Sequence, residues 1–284
     1  VKFALAKLKV AAEWHAPVRR NLAEYRWLEY VGGVAPDNVP ALYGHDDGLG
    51  GFAMEFVGGS NAANWKSQLL EAPPRSQDVA ATARLLGEIH ASSVGEKMLA
   101  SRFENTADFE ALRIEPYLES LRSKHADIEG AIAAMAETLR SSRTALIHGD
   151  VSPKNIIIRA DKPIVLDAEC ATLGDPVFDV AFCINHFLLK AVYAPRNATS
   201  FAEAALSFAD EYARFICWED RPAFDERLAA LLPVLMLARV DGKSPVEYLD
   251  PAQQDHVRKI SRSAIKAPAD TIEPLVHSVA RKTV

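Results

Sequence analysis

The sequence predicts an α+β chain in two unequal lobes, a small mixed lobe over residues 1–58 and a larger, mainly helical one over residues 59–284. Three observations carry that reading. The first sixty residues run in the order β-α-β-β. Helical periodicity then takes over from Asn61. Between Ala145 and Leu166 that texture breaks into three short β-branched runs separated by turn residues.

Val1, Phe3 and Leu5 alternate with Lys2, Ala4 and Ala6, the period of a strand. Val18, Leu22, Tyr25, Leu28 and Val31 recur at helical spacing, with Gly32-Gly33 as the expected stop. Strands are expected over Ala41–Tyr43 and Phe52–Val57, joined by the turn-rich HDDGLGG segment. In the second lobe, Val79, Ala83, Leu86 and Ile89 mark one helix. Phe109, Leu112, Pro116 and Leu121 mark an interrupted second, and Ile128 to Arg140 a third. The β-branched runs are Ala145–Ile147, Ile156–Ile158 and Ile164–Leu166, forming one small sheet insert. Asp175 as cap, followed by Pro176, then opens a helical region that continues to the end.

Composition narrows the function. The chain is 49% apolar and 25% charged, enough for a large core. Its net charge of −6 makes it a poor binder of nucleic acid by phosphate neutralisation. Cys170, Cys183 and Cys217 lie far apart and fit neither a disulfide framework nor a zinc knuckle. The longest apolar run, Ala229 to Ala238, contains Pro233 and is about half of a membrane span. The opening residues lack the pattern of a secretory leader. The expectation is a cytoplasmic protein with no membrane or nucleic-acid partner. His15, His45, His90, His125, His186, His256 and His277 show no metal-ligand spacing and read as surface or satisfied core residues.

The chemistry concentrates in ALIHGDVSPKNIIIRADKPIVLDAECATLGDPVFDVA. Asp150 follows a strand, Asn155 opens the next and Asp167 closes the third. An antiparallel hairpin between the last two would bring Asn155 and Asp167 together, with Asp150 on the adjacent loop. Two carboxylates and an amide suit a hard cation such as Mg²⁺. A carboxylate not consumed by metal can accept a hydroxyl proton. Together they describe phosphoryl transfer to an alcohol. The plainer reading, turn and cap residues, accounts for any one of the three but poorly for all three at this spacing.

His148-Gly149-Asp150, Asn155 and Leu166-Asp167-x-Glu169 resemble the signature of the aminoglycoside phosphotransferase and choline kinase-like small-molecule kinases, as does the following Gly174-Asp175-Pro176-x-x-Asp179. The resemblance implies a two-lobed protein-kinase-like fold with ATP, or alternatively GTP, between the lobes and Mg²⁺ on the phosphates. It makes residues 1–58 a partial nucleotide-binding lobe and residues 59–284 the catalytic and substrate-binding lobe. Position by position, it implies Asp150 as catalytic base and Asn155 and Asp167 as metal ligands. Glu169 either reaches the metal through water or is a surface carboxylate. His148 is implied to hold the loop rather than move protons. Asp179 braces the loop, or is simply a first-turn acid on its helix. Lys154 touches phosphate or only solvent.

In the small lobe the resemblance pairs a strand lysine on the nucleotide phosphates with a helix glutamate. Lys2 and Glu24 match, with Lys2 favoured over Lys7 and Lys9. Met54-Glu55-Phe56-Val57-Gly58 resembles the interlobe hinge, where backbone groups of Glu55 and Val57 would bind adenine. The glycine-rich hairpin that should precede Lys2 has no counterpart here, because Gly48, Gly50 and Gly51 follow the helix. A strand that opens on the first residue is expected to fray and hold Lys2 poorly against Glu24. Arg239-x-Asp241-Gly242-Lys243-Ser244 reads as a turn, with pocket lining as the alternative. The expected activity is transfer of the γ-phosphoryl group of ATP to a hydroxyl of a small molecule. Aminoglycoside, choline, methylthioribose, homoserine and fructosamine acceptors all remain open. The rivals are a non-catalytic, degenerate kinase that binds nucleotide or ligand, and a metal-dependent phosphohydrolase.

Overall fold

The computed structural model describes residues 1–3, 20–46, 48 and 50–281. Leu5, Lys7, Lys9, His15, Val18 and part of the HDDGLGG turn lie outside the described residues.

The N-terminal sheet contains β1 (Lys2–Phe3), β2 (Leu42–Asp46) and β3 (Gly51–Met54), in the order β1-β3-β2 with antiparallel pairing throughout. Helix α1 (Arg20–Val34) buries Ala23, Trp27, Leu28 and Val31 on one face. That same face carries Glu24, so the helix that packs the lobe also draws a carboxylate fully inside it. Gly32-Gly33 does not stop α1. The helix runs through both glycines and ends at Val34, because Ala35 precedes Pro36 and is pushed out of helical geometry, at φ −138° and ψ 72°. The β3 strand also ends earlier than expected, at Met54 rather than Val57.

Beyond Gly59 the chain forms β4 (Ala62–Asn64), α2 (Trp65–Glu71), α3 (Ser76–Ser93) and α4 (Lys97–Arg102). Helix α5 (Thr106–Phe109) widens into a π-helical stretch over Glu110–Glu119, which contains Pro116, and closes as α6 (Ser120–Arg122). This is the interruption expected in the second helix: proline cannot donate the regular bond, and the turn expands around it. Helix α7 (Glu129–Ser141) follows.

The β-branched runs do not form one sheet. β5 (Ala145–Ile147) pairs with β8 (Thr172–Gly174), while β6 (Ile156–Arg159) and β7 (Lys162–Val165) form a hairpin whose free edge takes up β4. The hairpin turns through Ala160 and Asp161, both at positive φ, which matches the twist of the two strands.

The core of the large lobe is α8 (Val177–Tyr193), buried at every position from Val177 to Val192. Around it lie α9 (Ala198–Ala213), α10 (Arg221–Asp241), α11 (Pro251–Lys266) and α12 (Glu273–Ala280). Asp175 opens α8 as expected, its carboxylate accepting the Val177 N–H at 3.1 Å. Among the described residues no single helix is long and apolar enough to cross a membrane.

Candidate active site

The site is assembled where β5 and the β6–β7 hairpin end side by side. From β5 the chain enters His148-Gly149-Asp150, and Gly149 turns it at φ +76°. A Cβ at Gly149 would meet Cys170 Cβ at 2.8 Å and its carbonyl oxygen at 3.0 Å, so both the backbone angle and the space demand glycine.

Three side chains fix this loop. Asp179, fully buried in the first turn of α8, accepts the backbone N–H of His148 at 2.6 Å and of Gly149 at 2.8 Å. The His148 ring accepts the Asp150 N–H on Nδ1 at 3.1 Å, which leaves Nε2–H to donate to the Leu166 carbonyl at 3.0 Å. Burial lowers the pKa of His148 and keeps the ring neutral. Asn155 donates from Nδ2 to the Asp150 carbonyl at 3.0 Å. His90 is a satisfied core residue, shared between Tyr212 and Asp179.

The hairpin delivers Asp167. The Leu166 N–H bonds to the Asn155 carbonyl at 2.9 Å, extending the ladder so that both residues leave its open end together. Asp167 itself stands at φ +70°, uncommon for a residue with a side chain. Its N–H donates to Glu24 Oε1 at 3.0 Å, across the interval between the lobes. Lys2 Nζ lies 2.6 Å from Glu24 Oε2 and also pairs with Asp167. Lys2, expected to be poorly held, is placed on both carboxylates by a β1 that pairs with β3.

Burial raises the Glu24 pKa to about 7, with Lys2 opposing. Desolvation works against the Lys2 charge too, but Glu24 and Asp167 overcome it and its pKa is raised. Glu169, expected as second-shell support or as a surface group, is half-buried and paired with the buried Arg20. Carboxylate oxygens of Glu24, Asp167 and Glu169 all lie within 4.8 Å of one another. Three carboxylates against two fixed cations fit a divalent cation, with Asp167 common to this cluster and to the expected ligand pair.

Asp150 is buried, and its carboxylate is met by Arg113 Nη2 at 2.9 Å and Lys154 Nζ at 3.2 Å. Burial alone would raise its pKa; the Arg113 charge, helped by Lys154, lowers it to about 2. Lys154 contacts the carboxylate of Asp150, a partner that neither alternative for it names. Arg113 went unread in the sequence. It comes from the π-helical stretch, 36 residues before Gly149, whose carbonyl it also holds.

The hinge expectation concerns backbone groups. The Glu55 N–H is committed to the Ala41 carbonyl at 2.8 Å, which leaves its carbonyl for a ligand. Its side chain turns back to Arg159 and to the Ala41 N–H. Val57 is buried, while Phe56 between them is exposed.

Asp150 also lines a cavity of about 570 Å³ on the large-lobe side, walled by Tyr117, Lys190, Arg239 and Tyr248. Arg239, Lys243 and Ser244 line it, so the pocket-lining alternative holds at those three positions; Arg239 sits on α10 and only the residues after Asp241 form the turn. Lys190 also went unread, although it left a trace: it is a lone cation in an apolar run that is hydrophobic on every face.

A family model described as "Phosphotransferase enzyme family" matches residues 4–216. The chain belongs to that family. Methylthioribose kinase of Pectobacterium carotovorum is 24% identical over 267 residues, covering 81% of this chain and 66% of that enzyme. Mouse acyl-CoA dehydrogenase family member 10 is 27% identical over 177 residues, 58% of this chain but 16% of that protein. The chain thus spans less than two thirds of these relatives. Among solved structures, an amicoumacin kinase in complex with AMP-PNP, Ca²⁺ and Ami superposes with a TM-score of 0.53 at 16% identity, covering 90% of this chain and 80% of that one. A choline/ethanolamine kinase family protein from Mesorhizobium loti gives 0.50 at 15% identity, covering 94% and 85%. The fold of this phosphotransferase-family chain is therefore protein-kinase-like, with a small sheet lobe and a mostly helical one.

Proposed function

We propose that this chain is an ATP- and Mg²⁺-dependent phosphotransferase acting on a hydroxyl group of a small molecule. The observation that supports it most is the placement of Asp150. It is held ionised by Arg113 at the wall of an acceptor-sized cavity, on a loop adjoining the Glu24–Asp167–Glu169 carboxylates.

In this reading residues 1–58 form the nucleotide lobe and residues 59–284 the catalytic and acceptor lobe. Backbone groups of Glu55 and Val57 receive the adenine, and Lys2, positioned by Glu24, receives the phosphates. Asn155 and Asp167 hold the metal, with Glu169 supporting; the metal supplies neutralisation of phosphate charge. Asp150 orients the acceptor hydroxyl and takes its proton as the new O–P bond forms and the bond from Pγ to the ADP oxygen breaks. A base whose pKa lies near 2 gives up its proton readily. It therefore acts late, when the attacking oxygen has already lost electron density to phosphorus, as a loose transition state requires. His148 and Asp179 fix the loop that carries it and exchange no proton with substrate.

The test is ³¹P NMR of ATP, Mg²⁺ and an alcohol library incubated with the protein. A phosphate monoester resonance growing with ADP supports the reading. Inorganic phosphate growing instead identifies a phosphohydrolase, and an unchanged spectrum with bound nucleotide identifies a non-catalytic binder.

A further inference from the structure

The cavity beside Asp150 is cationic. Five basic side chains line it, against the two carboxylates Asp150 and Glu247. Ion pairing disposes of three of the five. Lys66 pairs with Glu247, Lys154 with Asp150, and Lys243 with Glu115. Lys190 and Arg239 remain with no carboxylate within 4.0 Å among the described residues.

Lys190 is the sharper case. Its side chain is fully buried in the last turn of α8, and Nζ has no hydrogen-bond partner among the described residues. The Tyr248 ring stands near it, 5.3 Å from the ammonium to the ring centre. Arg239 spends one nitrogen on the Tyr117 and Ser244 hydroxyls, both at 3.0 Å, while its Nε is buried without a partner. Tyr248 Oη and Ser152 Oγ, on the same wall, are buried and unpartnered too. Four donors left unused around one cavity, two of them cationic, describe a place built for an anion.

The electrostatics agree. Burial lowers the Lys190 pKa to about 7, and the Lys66 charge pushes the same way, as does Arg239; Cys183 on its own helix and Glu247 oppose. His186, one turn before it on α8, is held neutral by burial and the same cations. An arriving anion is the counter-charge this group lacks, whereas an arriving ammonium would meet it with like charge.

On the transferase reading above, we propose that the acceptor is an acidic alcohol: a hydroxyl compound that also carries a carboxylate or phosphate group, whose anionic oxygens are received by Lys190 and Arg239 while its hydroxyl meets Asp150. This separates the chain from kinases whose acceptors are amines or quaternary ammonium compounds.

The experiment uses the whole chain with AMP-PNP and Mg²⁺ filling the nucleotide site. Melting is followed in acetate, inorganic phosphate and chloride at equal ionic strength, for the wild type, Lys190→Met and Arg239→Gln. The wild type should melt higher in acetate or phosphate than in chloride, and which of the two acts tells carboxylate from phosphate. In Lys190→Met the concentration of that anion giving half the effect should rise at least tenfold, although the variant, relieved of an unpaired buried charge, should itself melt about 2–4 °C higher in chloride. Arg239→Gln gives the same reading if Lys190→Met fails to fold. A parallel assay compares transfer from ATP to glucosamine, glucose, gluconate and glucose 6-phosphate. Equal melting in all three salts, or an anion response untouched in both variants, overturns the proposal, and so does a higher kcat/KM for glucosamine than for both acids. If AMP-PNP with Mg²⁺ does not bind while the anion response persists, the kinase reading fails and the anion site stands.

Discussion

Arg113 Nη2 lies 2.9 Å from Asp150 Oδ2, and the two side chains are together almost wholly inside the protein. The pair sets the charge state of the proposed base. A depressed carboxylate pKa contributes stability that is present above its ordinary value near 3.8 and is lost as pH falls through about 2. Arg113→Met removes the guanidinium and leaves burial opposed mainly by Lys154. The acid limb of kcat/KM should then move up by about 2 pH units or more, and stability near pH 7 should fall by about 3 kcal/mol. A pH–rate profile of the variant checks it; a limb in its wild-type position would mean that Arg113 serves only as packing.

Lys2 and Glu24 give a second pH test, with the opposite sign. Glu24 is raised to about 7, so between its ordinary 4.5 and that value the folded chain holds a proton the unfolded chain releases. Stability from this group therefore declines as pH rises across that window. Lys2→Met deletes the cation that limits the rise, and the decline should extend above pH 7. Melting at pH 5 and pH 8 should show the larger loss at pH 8, together with a sharp fall in phosphoryl transfer. Equal losses at both pH values would remove Lys2 from its place on Glu24.

Asp167→Ala should abolish metal-dependent nucleotide binding, since it removes the carboxylate shared by the cluster and the proposed ligand pair. The check is ATP affinity titrated against Mg²⁺. A variant with the wild-type metal dependence would make Asp167 a structural residue.

The loop geometry has its own control. Gly149→Ala faces a φ of +76° and a collision with Cys170, and should cost about 1–3 kcal/mol. Gly33→Ala, where a Cβ meets nothing within 4 Å inside α1, should be neutral or stabilising by up to about 1 kcal/mol. Denaturant unfolding of both variants measures the contrast. Similar values would show that Gly149 is not confined by its backbone.

Why part of the site was legible and part was not follows from distance along the chain. Asp150, Asn155 and Asp167 lie within 18 residues, on strands whose β-branched runs and turn residues announce a hairpin. Arg113 reaches Asp150 from a π-helical stretch, where its periodic neighbours describe an ordinary amphipathic helix. Strands β4 and β8 are three residues each, too short for alternation to register, and so the division into two sheets stayed hidden. The end of α1 was misplaced because two glycines outweighed the proline that stops it. Lys190 was visible as a charge in an apolar run, but only the cavity gave it a partnerless ammonium to explain.

The central claim, that Asp150 serves an acceptor hydroxyl, is tested most directly by acceptor-dependent ADP formation in the wild type and Asp150→Asn. The asparagine keeps the shape of the loop and removes the proton acceptor. ADP formation by the wild type should require both an alcohol and a divalent cation. Asp150→Asn should bind nucleotide within a few fold of the wild type and turn over about 10²–10⁴ times more slowly. ADP formation that proceeds at the same rate in the variant, or that does not depend on an acceptor in the wild type, would contradict it.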